Sequence, residues 1–201
     1  MGLVAENTQV SIQGTKLRAK GPLLITHWGF SGPAVLKTSS VGARILSDKN
    51  YLFNLQINWI NETNYEKITG LMHQLVKTHP KKTLRNLKAF KLPERLWDFI
   101  VEKSGLNLEK KLHELGNKGI HKLVEVICND IYQIKGKTTF KEEFVTCGGI
   151  SLNSINLNTM ESKEIKNLYF AGEIMDIDAI TGGYNFQAAW STGYIAGKLK
   201  N

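Results

Sequence analysis

The organisation of the C-terminal part of the chain is set by Asn167-Leu-Tyr-Phe-Ala-Gly-Glu173, then residues 174–180, then Thr181-Gly-Gly-Tyr-Asn185. The apolar, aromatic-rich run 168–171 is too short for a helix and is followed by glycine, so it predicts a short buried strand. Gly172 then lets the backbone turn where a side chain would obstruct it. This stretch therefore predicts a strand, a turn and the start of a helix, in that order.

The glycine pair Gly182-Gly183 stands just before a helical pattern that runs to about Lys198. The first N–H groups of a helix have no partner inside it, so residues without side chains leave them open to a ligand. A turn alone would not require two glycines at a helix N-terminus. The pair therefore predicts a site for an electron-rich group.

A line of small residues, Ala189, Gly193 and Gly197, lies on one face of the same helix at intervals of four residues. A glycine inside a helix costs about 1 kcal/mol relative to alanine, so the line predicts a very close neighbour. That neighbour is either another backbone or a flat ring. The sequence favours tight packing of this helix on a sheet.

The 201 residues, of which 42% are hydrophobic, are enough for one large domain or two small ones. No apolar run approaches the roughly 20 residues needed to cross a bilayer, and no signal peptide is recognisable, so we expect a cytoplasmic protein without a membrane segment. Cys128 and Cys147 give neither a disulfide framework nor metal-ligand spacing. Both are predicted to be packing residues, and no metal site is expected.

The formal charge of +8 is concentrated in one stretch. Between Lys77 and Arg95 there are seven basic residues and one acidic residue, Glu94. Such a cluster is typical of a solvated helical face, or of a surface that binds nucleic acid or another polyanion. No nucleic-acid-binding motif accompanies it, so the solvated face is favoured and nucleic acid is not the expected partner. A non-catalytic module that binds nucleic acid or a protein partner through this face is the alternative function.

Strand patterns cover residues 9–26 and 51–59, and a helix is expected between them. The segment Thr26-His-Trp-Gly-Phe-Ser-Gly-Pro33 ends in a proline suited to the first position of a helix, with Ser31 or Gly32 as its N-cap. His27 stands a few residues before this second helix N-terminus.

The middle of the chain is predicted to be helical. Helices are expected after a capping box at Thr63-x-x-Glu66, after Pro93, and over residues 117–128. Strand character returns at residues 131–134 and 138–146. The polar, Asn-rich residues 151–166 predict a loop or an irregular hairpin.

Five motifs resemble the HI0933-like flavoproteins. They are Thr26-His-Trp-Gly-Phe-Ser-Gly-Pro33, Val145-Thr-Cys-Gly-Gly149, Asn158-Thr-Met-Glu-Ser162, Leu168-Tyr-Phe-Ala-Gly-Glu173 and Thr181-Gly-Gly-Tyr-Asn185. Five motifs in the family's order, spread over nearly the whole chain, are far more specific than any one of them. The resemblance implies a bacterial FAD-dependent oxidoreductase that takes hydride from NAD(P)H and passes it to an unsaturated or carbonyl-containing small molecule. One branch of the family acts on oxo-bile-acid intermediates.

The resemblance also implies a domain organisation. Family members begin with a dinucleotide-binding βαβ unit that carries a GxGxxG turn, and these 201 residues contain no such motif. The chain is similar to the second half of a member: an inserted substrate or cap domain at residues 1–140, helical over about 63–130, and the C-terminal segment of a Rossmann-like FAD-binding domain at 141–201. The expected fold class is α+β with mostly antiparallel strands. The expected partners are the missing N-terminal half, which should supply most of the FAD affinity, and further copies of the chain through exposed strand edges.

The cofactor-binding residues follow from the same resemblance. Backbone near Gly148 and Gly172 is implied to approach the ribityl and pyrophosphate groups, and residues 181–185 to lie against the flavin ring. Reduction places negative charge on that ring, which a helix N-terminus favours. Glu173 is preferred over Asp176 as the acceptor of hydrogen bonds from ribityl hydroxyls. The full predicted set is Gly148, Gly149, Gly172, Glu173, Asp176, Thr181, Gly182, Gly183, Tyr184 and Asn185.

His27 is the candidate catalytic residue, because it is a titratable group beside a Gly-Ser-Gly turn in the domain implied to cover the flavin. The alternative for His27 is a structural histidine that is hydrogen-bonded to the backbone.

Overall fold

The computed structural model describes residues 2–137, 145–180 and 182–198. Two compact units divide the chain: Met1–Thr38 with Tyr51–Gly136, and Ser39–Asn50 with Lys137–Asn201. One helix therefore begins in the first unit and ends in the second. The predicted domain boundary near residue 140, like most of the predicted strand 138–146, lies outside the described residues, so both remain predictions.

The first unit is built on a five-stranded sheet in which every pairing is antiparallel. The strands are β1 (Leu3–Ile12), β2 (Arg18–Thr26), β3 (Gly29–Ser31), β4 (Leu52–Asn58) and β5 (Asp130–Lys135). Their order across the sheet is β3-β2-β1-β4-β5. Apolar residues that alternate along these strands, such as Val10, Leu23 and Ile57, are fully buried. The predicted α+β class with antiparallel strands is confirmed.

The described residues form five α-helices, each in a region where local signals in the sequence predict a helix. They are α1 (Pro33–Asp48), α2 (Tyr65–Thr78), α3 (Glu94–Lys103), α4 (Gly116–Cys128) and α5 (Tyr184–Gly197). As predicted, α1 begins at Pro33 and α3 begins directly after Pro93. The predicted capping box at Thr63 is wrong, because Asn64 is the N-cap of α2 and its side chain accepts a hydrogen bond from the Lys67 N–H at 3.0 Å. None of the described helices is long and apolar enough to span a membrane.

A buried carboxylate ties the sheet of the first unit to helix α3. Asp130, at the start of β5, is 2% exposed. It accepts hydrogen bonds from the Trp59 indole N–H at 2.9 Å and the Tyr132 hydroxyl at 2.7 Å, and it pairs with the ammonium group of Lys103 at the end of α3. Burial, followed by this bond to Asp130, raises the pKa of Tyr132. One acidic side chain thus holds three separate segments together.

The described part of the second unit has a small core formed by Ile155, Met160 and Met175. A short hairpin of β6 (Ile155–Asn156) and β7 (Glu161–Ser162) supplies part of it, in agreement with the irregular hairpin predicted at 151–166. The buried strand predicted at 168–171 is wrong. Leu168 is 36% exposed, and Tyr169 makes only an isolated bridge to Glu161. A strand needs a continuous ladder of hydrogen bonds, which one bridge does not provide.

The packing predicted for the small residues of α5 is also wrong. A Cβ added at Gly193 or Gly197 would have no described atom within 4 Å. Instead, α5 packs through Thr192, which is buried, and through the partly buried Ile195 and Ala196. Its aromatic side chains Tyr184, Phe186, Trp190 and Tyr194 are 59–70% exposed among the described residues.

Candidate functional site

Several predicted site residues meet at one pocket in the second unit. The pocket has a volume of about 140 Å³. It is lined by Val145, Thr146, Gly172, Glu173, Ile177, Asn185, Ala188 and Ala189. Pockets that enclose a whole small molecule are larger, at about 300–1,000 Å³. The described residues can therefore hold only part of a cofactor.

The N-terminus of α5 adjoins this pocket. Gly183 immediately precedes the helix with a left-handed φ of 93°, and it has no side chain to cover the first turn. The first N–H groups of the helix are left without partners inside the helix, and they carry the positive end of its dipole. The predicted helix start after the glycine pair is confirmed, whereas Thr181 lies outside the described residues. The ligand-binding roles of Gly182, Gly183 and Tyr184 remain predictions.

Asn185 holds the loop before the helix in place. Its side-chain oxygen accepts a hydrogen bond from the Ala179 N–H at 2.8 Å, and its amide donates to the Ala179 carbonyl at 3.0 Å. Because one amide satisfies both backbone groups of Ala179, Asn185 shapes the wall of the pocket that it also lines. Its predicted contact with a cofactor is not tested by this geometry.

Thr192 is a positioning residue that the sequence analysis missed. Its hydroxyl accepts a hydrogen bond from the Gly172 N–H at 3.0 Å and donates to the Ala188 carbonyl at 2.8 Å. This bond fixes the turn at Gly172 against α5. The only sequence signal for this role was a threonine among apolar residues of the helix. Threonine is common on helix surfaces, so its presence did not predict a positioning role.

The two candidate carboxylates differ in their surroundings. Both oxygens of Asp176 accept hydrogen bonds from the Arg44 guanidinium, at 2.6 and 2.8 Å, and this pairing raises the pKa of Arg44. Arg44 lies on α1, and nothing in its local sequence pointed to the pair. Glu173, in contrast, is exposed at the pocket and forms no hydrogen bond with a described residue. Glu173 is therefore the carboxylate that is free to receive hydroxyl donors.

The glycines at 148 and 149 have different structural roles. A Cβ added at Gly149 would lie 2.6 Å from the Ile174 carbonyl oxygen and 2.6 Å from the Met175 carbonyl carbon. This close approach accompanies backbone hydrogen bonds on both sides of Ile150, to the Ile174 carbonyl at 2.9 Å and from the Asp176 N–H at 3.0 Å. At Gly148 an added Cβ would meet no described atom within 4 Å. Close packing against residues 174–175 is enough to explain why residue 149 is a glycine. Contact of Gly148 or Gly149 with a cofactor stays a prediction.

Replacing Gly149 by alanine is expected to destabilise the second unit by about 1–3 kcal/mol, because the methyl group would collide with backbone that cannot rotate away. Chemical denaturation followed by circular dichroism measures the loss. Gly148→Ala is the matched control, since both positions have positive φ, 113° and 152°, but only Gly149 has a close neighbour. Equal losses in the two variants would show that the contact with residues 174–175 is not what requires glycine.

The thiol of Cys147 lies beside the Asp178 carboxylate and the Arg44 guanidinium. A hydrogen bond to Asp178 raises the pKa of its thiol, and the nearby Arg44 only partly opposes this effect. Because the thiolate is the reactive form, a raised pKa keeps the sulfur protonated near neutral pH. The packing role predicted for Cys147 remains a prediction. Burial raises the pKa of the other cysteine, Cys128, to about 11.

In a Cys128→Ser background, Asp178→Asn is expected to accelerate alkylation of Cys147 several-fold. Removing the carboxylate lowers the pKa of the thiol, so a larger fraction is thiolate between about pH 7 and 9. Mass spectrometry of iodoacetamide-treated protein at several pH values measures the rate. A rate in the Asp178→Asn protein that is unchanged or slower would contradict the assigned hydrogen bond.

His27 belongs to the first unit, in the turn between β2 and β3. The turn is held by Thr26, whose hydroxyl accepts from the Trp28 N–H at 3.2 Å and donates to the Gly29 carbonyl at 3.1 Å. The His27 side chain is exposed and forms no hydrogen bond with any described residue. The described residues therefore do not support the alternative of a structural histidine that is hydrogen-bonded to the backbone. Trp28 beside it is 79% exposed. The catalytic role of His27 remains a prediction.

Residues 1–145 match the family described as HI0933-like protein barrel and H2TH domain. The chain belongs to the HI0933-like family. It is 31% identical over 195 residues to the ribosomal RNA dihydrouridine synthase of Escherichia coli K12, covering 96% of this chain and 45% of that protein. The same enzyme of Haemophilus influenzae is 31% identical over 172 residues, or 86% of this chain and 40% of that protein.

A third relative carries a different name. The 3-dehydro-bile acid delta(4,6)-reductase of Clostridium scindens is 26% identical over 178 residues, 89% of this chain and 43% of that protein. The chain therefore spans less than half the length of these relatives. The predicted family resemblance is confirmed, and the names of the relatives confirm the prediction that the family is one of oxidoreductases.

Proposed function

We propose that this chain is part of an FAD-dependent oxidoreductase that reduces a uridine of ribosomal RNA to dihydrouridine, with NAD(P)H as the electron donor. The observation that carries the proposal is the extent of the similarity. The alignment to a ribosomal RNA dihydrouridine synthase covers 96% of this chain, so it extends over both the sheet and the segment that forms the pocket. The second unit is proposed to complete a Rossmann-like FAD-binding domain supplied by the rest of the protein.

The relatives' names point to one kind of reaction. Dihydrouridine is uridine whose ring carbon–carbon double bond, conjugated to a carbonyl, has gained two hydrogen atoms. A reductase of an unsaturated 3-dehydro bile acid likewise acts on a double bond conjugated to a carbonyl. Reduction of such a bond delivers hydride to the carbon remote from the carbonyl and a proton to the adjacent carbon. The sequence analysis predicted hydride transfer to an unsaturated or carbonyl-containing substrate. The shared chemistry narrows this proposal to a substrate whose carbon–carbon double bond is conjugated to a carbonyl.

The described residues fit part of a flavin cofactor. Bound FAD would accept hydride from NAD(P)H and deliver it to the substrate. Gly172, Ala188 and Ala189 present little side-chain bulk along the pocket, and the Glu173 carboxylate is open to hydroxyl donors. The N-terminus of α5 places partial positive charge beside the pocket, which favours a reduced, negatively charged ring. These features support the proposed cofactor-binding residues.

The proton is assigned to His27. An imidazolium beside the substrate can donate to the carbon next to the carbonyl as negative charge develops, and general acids of this type contribute about 10²–10⁴-fold to rates. Its exposed position in the β2–β3 turn leaves the ring accessible to a large substrate. Trp28 offers an adjacent aromatic surface on which a base can stack. A reaction on ribosomal RNA also supports the predicted cytoplasmic location.

The test uses the complete protein that contains this chain. It is purified with FAD and incubated with NADPH or NADH and with ribosomal RNA that lacks dihydrouridine. Mass spectrometry of the digested nucleosides should show dihydrouridine formed in step with NAD(P)H oxidation. If an unsaturated oxo-steroid is reduced while ribosomal RNA is not, the substrate is a small molecule and the RNA assignment is wrong.

A further inference from the structure

We propose that four lysines of the first unit, Lys81, Lys82, Lys110 and Lys111, form a surface that contacts the ribose-phosphate backbone of RNA. These four residues are called the lysine patch. The choice of RNA over other polyanions rests on the proposed function. The patch would position the substrate strand without reading its sequence, since phosphate contacts fix orientation and carry no direct sequence information.

The net charge of the chain is concentrated in the sequence segment that contains the patch. Residues 77–122 contain twelve Lys and Arg but only five Asp and Glu, so they carry +7 of the formal net charge of +8. Outside this segment the chain is nearly neutral. A localised excess of this kind attracts a polyanion to one region of the surface.

The fold brings the two lysine pairs together. The Leu84 N–H donates to the Lys110 carbonyl at 3.0 Å, and the Leu112 N–H donates to the Lys82 carbonyl at 2.9 Å. Between these bonds, Thr83 and Lys111 form an antiparallel bridge. The backbones of the two lysine pairs are therefore adjacent, an arrangement that the charge pattern between Lys77 and Arg95 did not reveal.

The same two segments are anchored in the core. Leu84 and Leu112 are both fully buried, whereas three lysines of the patch are exposed and Lys110 is half-buried. The Trp97 indole N–H also donates to the Leu84 carbonyl at 2.7 Å, which fixes the backbone under the patch. The backbone that carries the four lysines is thus fixed before RNA binds. Less conformational entropy of this backbone is then lost on binding.

The described residues leave the patch un-neutralised. Neighbouring cations form ion pairs, Arg85 with Glu109 at 2.7 Å and Lys88 with Glu94 at 2.8 Å. No side chain of the patch forms an ion pair with a described residue. The other nearby acid, Glu114, accepts a hydrogen bond from the backbone N–H of Lys111 at 3.1 Å. Ammonium groups without acidic partners are available to neutralise the phosphates of a nucleic-acid backbone.

The patch is tested by the binding of a fluorescein-labelled RNA hairpin to the full chain, followed by fluorescence anisotropy over a range of salt concentrations. The variant replaces all four lysines of the patch by glutamine. Its affinity is expected to fall at least about tenfold at about 0.1 M salt, with a loss of about 3 in the slope of log K against log[salt]. The matched control replaces Lys16, Lys20, Lys49 and Lys135, four exposed lysines elsewhere, and so removes the same charge.

Each result decides the proposal. Binding that weakens only in the patch variant, with unchanged thermal unfolding, supports it. Equal weakening in the control, no binding by the parent chain at low salt, or equally effective competition by polyglutamate overturns it. The proposed function has a separate readout, because flavin reduction by NAD(P)H requires no RNA. A patch variant of the complete protein should keep flavin reduction and lose dihydrouridine formation. Normal dihydrouridine formation in that variant would overturn the patch and leave the proposed function standing.

Discussion

The His27→Ala variant of the complete protein is expected to reoxidise its reduced flavin with substrate about 10²–10⁴-fold more slowly than the parent. The substitution removes the proposed proton donor, so negative charge that develops on the substrate carbonyl is no longer neutralised. FAD affinity and flavin reduction by NAD(P)H should not change, because neither needs that proton. Stopped-flow measurement of the two half-reactions separates these effects.

His121→Ala is the matched control for this variant. His121 is also an exposed histidine of the first unit, and it stacks on Tyr65 with 6.2 Å between the ring centroids. Its removal should leave both half-reactions at the parental rate. If His27→Ala also turns over like the parent, the proton comes from another group and the assignment of His27 is wrong.

Replacing Asp130 by alanine is expected to destabilise the first unit by about 3–5 kcal/mol, as when one partner of a buried ion pair is removed. The change leaves the indole of Trp59, the hydroxyl of Tyr132 and the ammonium of Lys103 without their acceptor. Buried donors without acceptors carry their full desolvation cost. Urea unfolding monitored by tryptophan fluorescence measures the loss, and Asp130→Asn gives a milder variant for comparison.

Glu109→Ala is the control for the Asp130 variants. Glu109 also forms a close ion pair, with Arg85 at 2.7 Å, but its side chain is 66% exposed. Exposed pairs contribute little because water solvates both charges after separation. A loss in Glu109→Ala comparable with that in Asp130→Ala would mean that burial is not the source of the stabilisation.

Local signals in the sequence predicted the starts of α1, α3 and α5. The prolines at positions 33 and 93 mark helix starts, and the glycine pair at 182–183 marks the start of α5. The effect of a proline or a glycine on a helix start acts within one or two turns of backbone. A short stretch of sequence around the residue is therefore enough to predict it. The predicted N-cap of α2 was one residue too early, at Thr63 instead of Asn64. Both residue types can cap a helix, and the local sequence does not decide between them.

Features that depend on distant partners could not be predicted. Arg44 meets Asp176 across 132 residues, and Thr192 reaches Gly172 across 20. The apolar run at 168–171 has the composition of a strand, but strand formation depends on a neighbouring ladder that the sequence does not specify. The line of small residues on α5 likewise predicted a close neighbour that is absent among the described residues. The lysine patch depends on the pairing of two separate segments, and only their individual charge was visible.

The site was partly predicted. Gly172, Glu173 and Asn185 do share one pocket, whereas Asp176 is paired with Arg44 and Gly149 is explained by backbone packing. The five sequence motifs predicted membership of the HI0933-like family. The family resemblance in turn implied a flavin cofactor. The geometry then distinguished an accessible carboxylate from a paired one, which spacing along the chain cannot do.

The most direct measurement of the central claim is the flavin content of the complete protein, purified gently and without denaturant in the presence of excess FAD. We predict a yellow protein that retains stoichiometric FAD after gel filtration and is bleached on addition of NAD(P)H. A folded protein that stays colourless under these conditions would show that the pocket beside α5 does not serve a flavin.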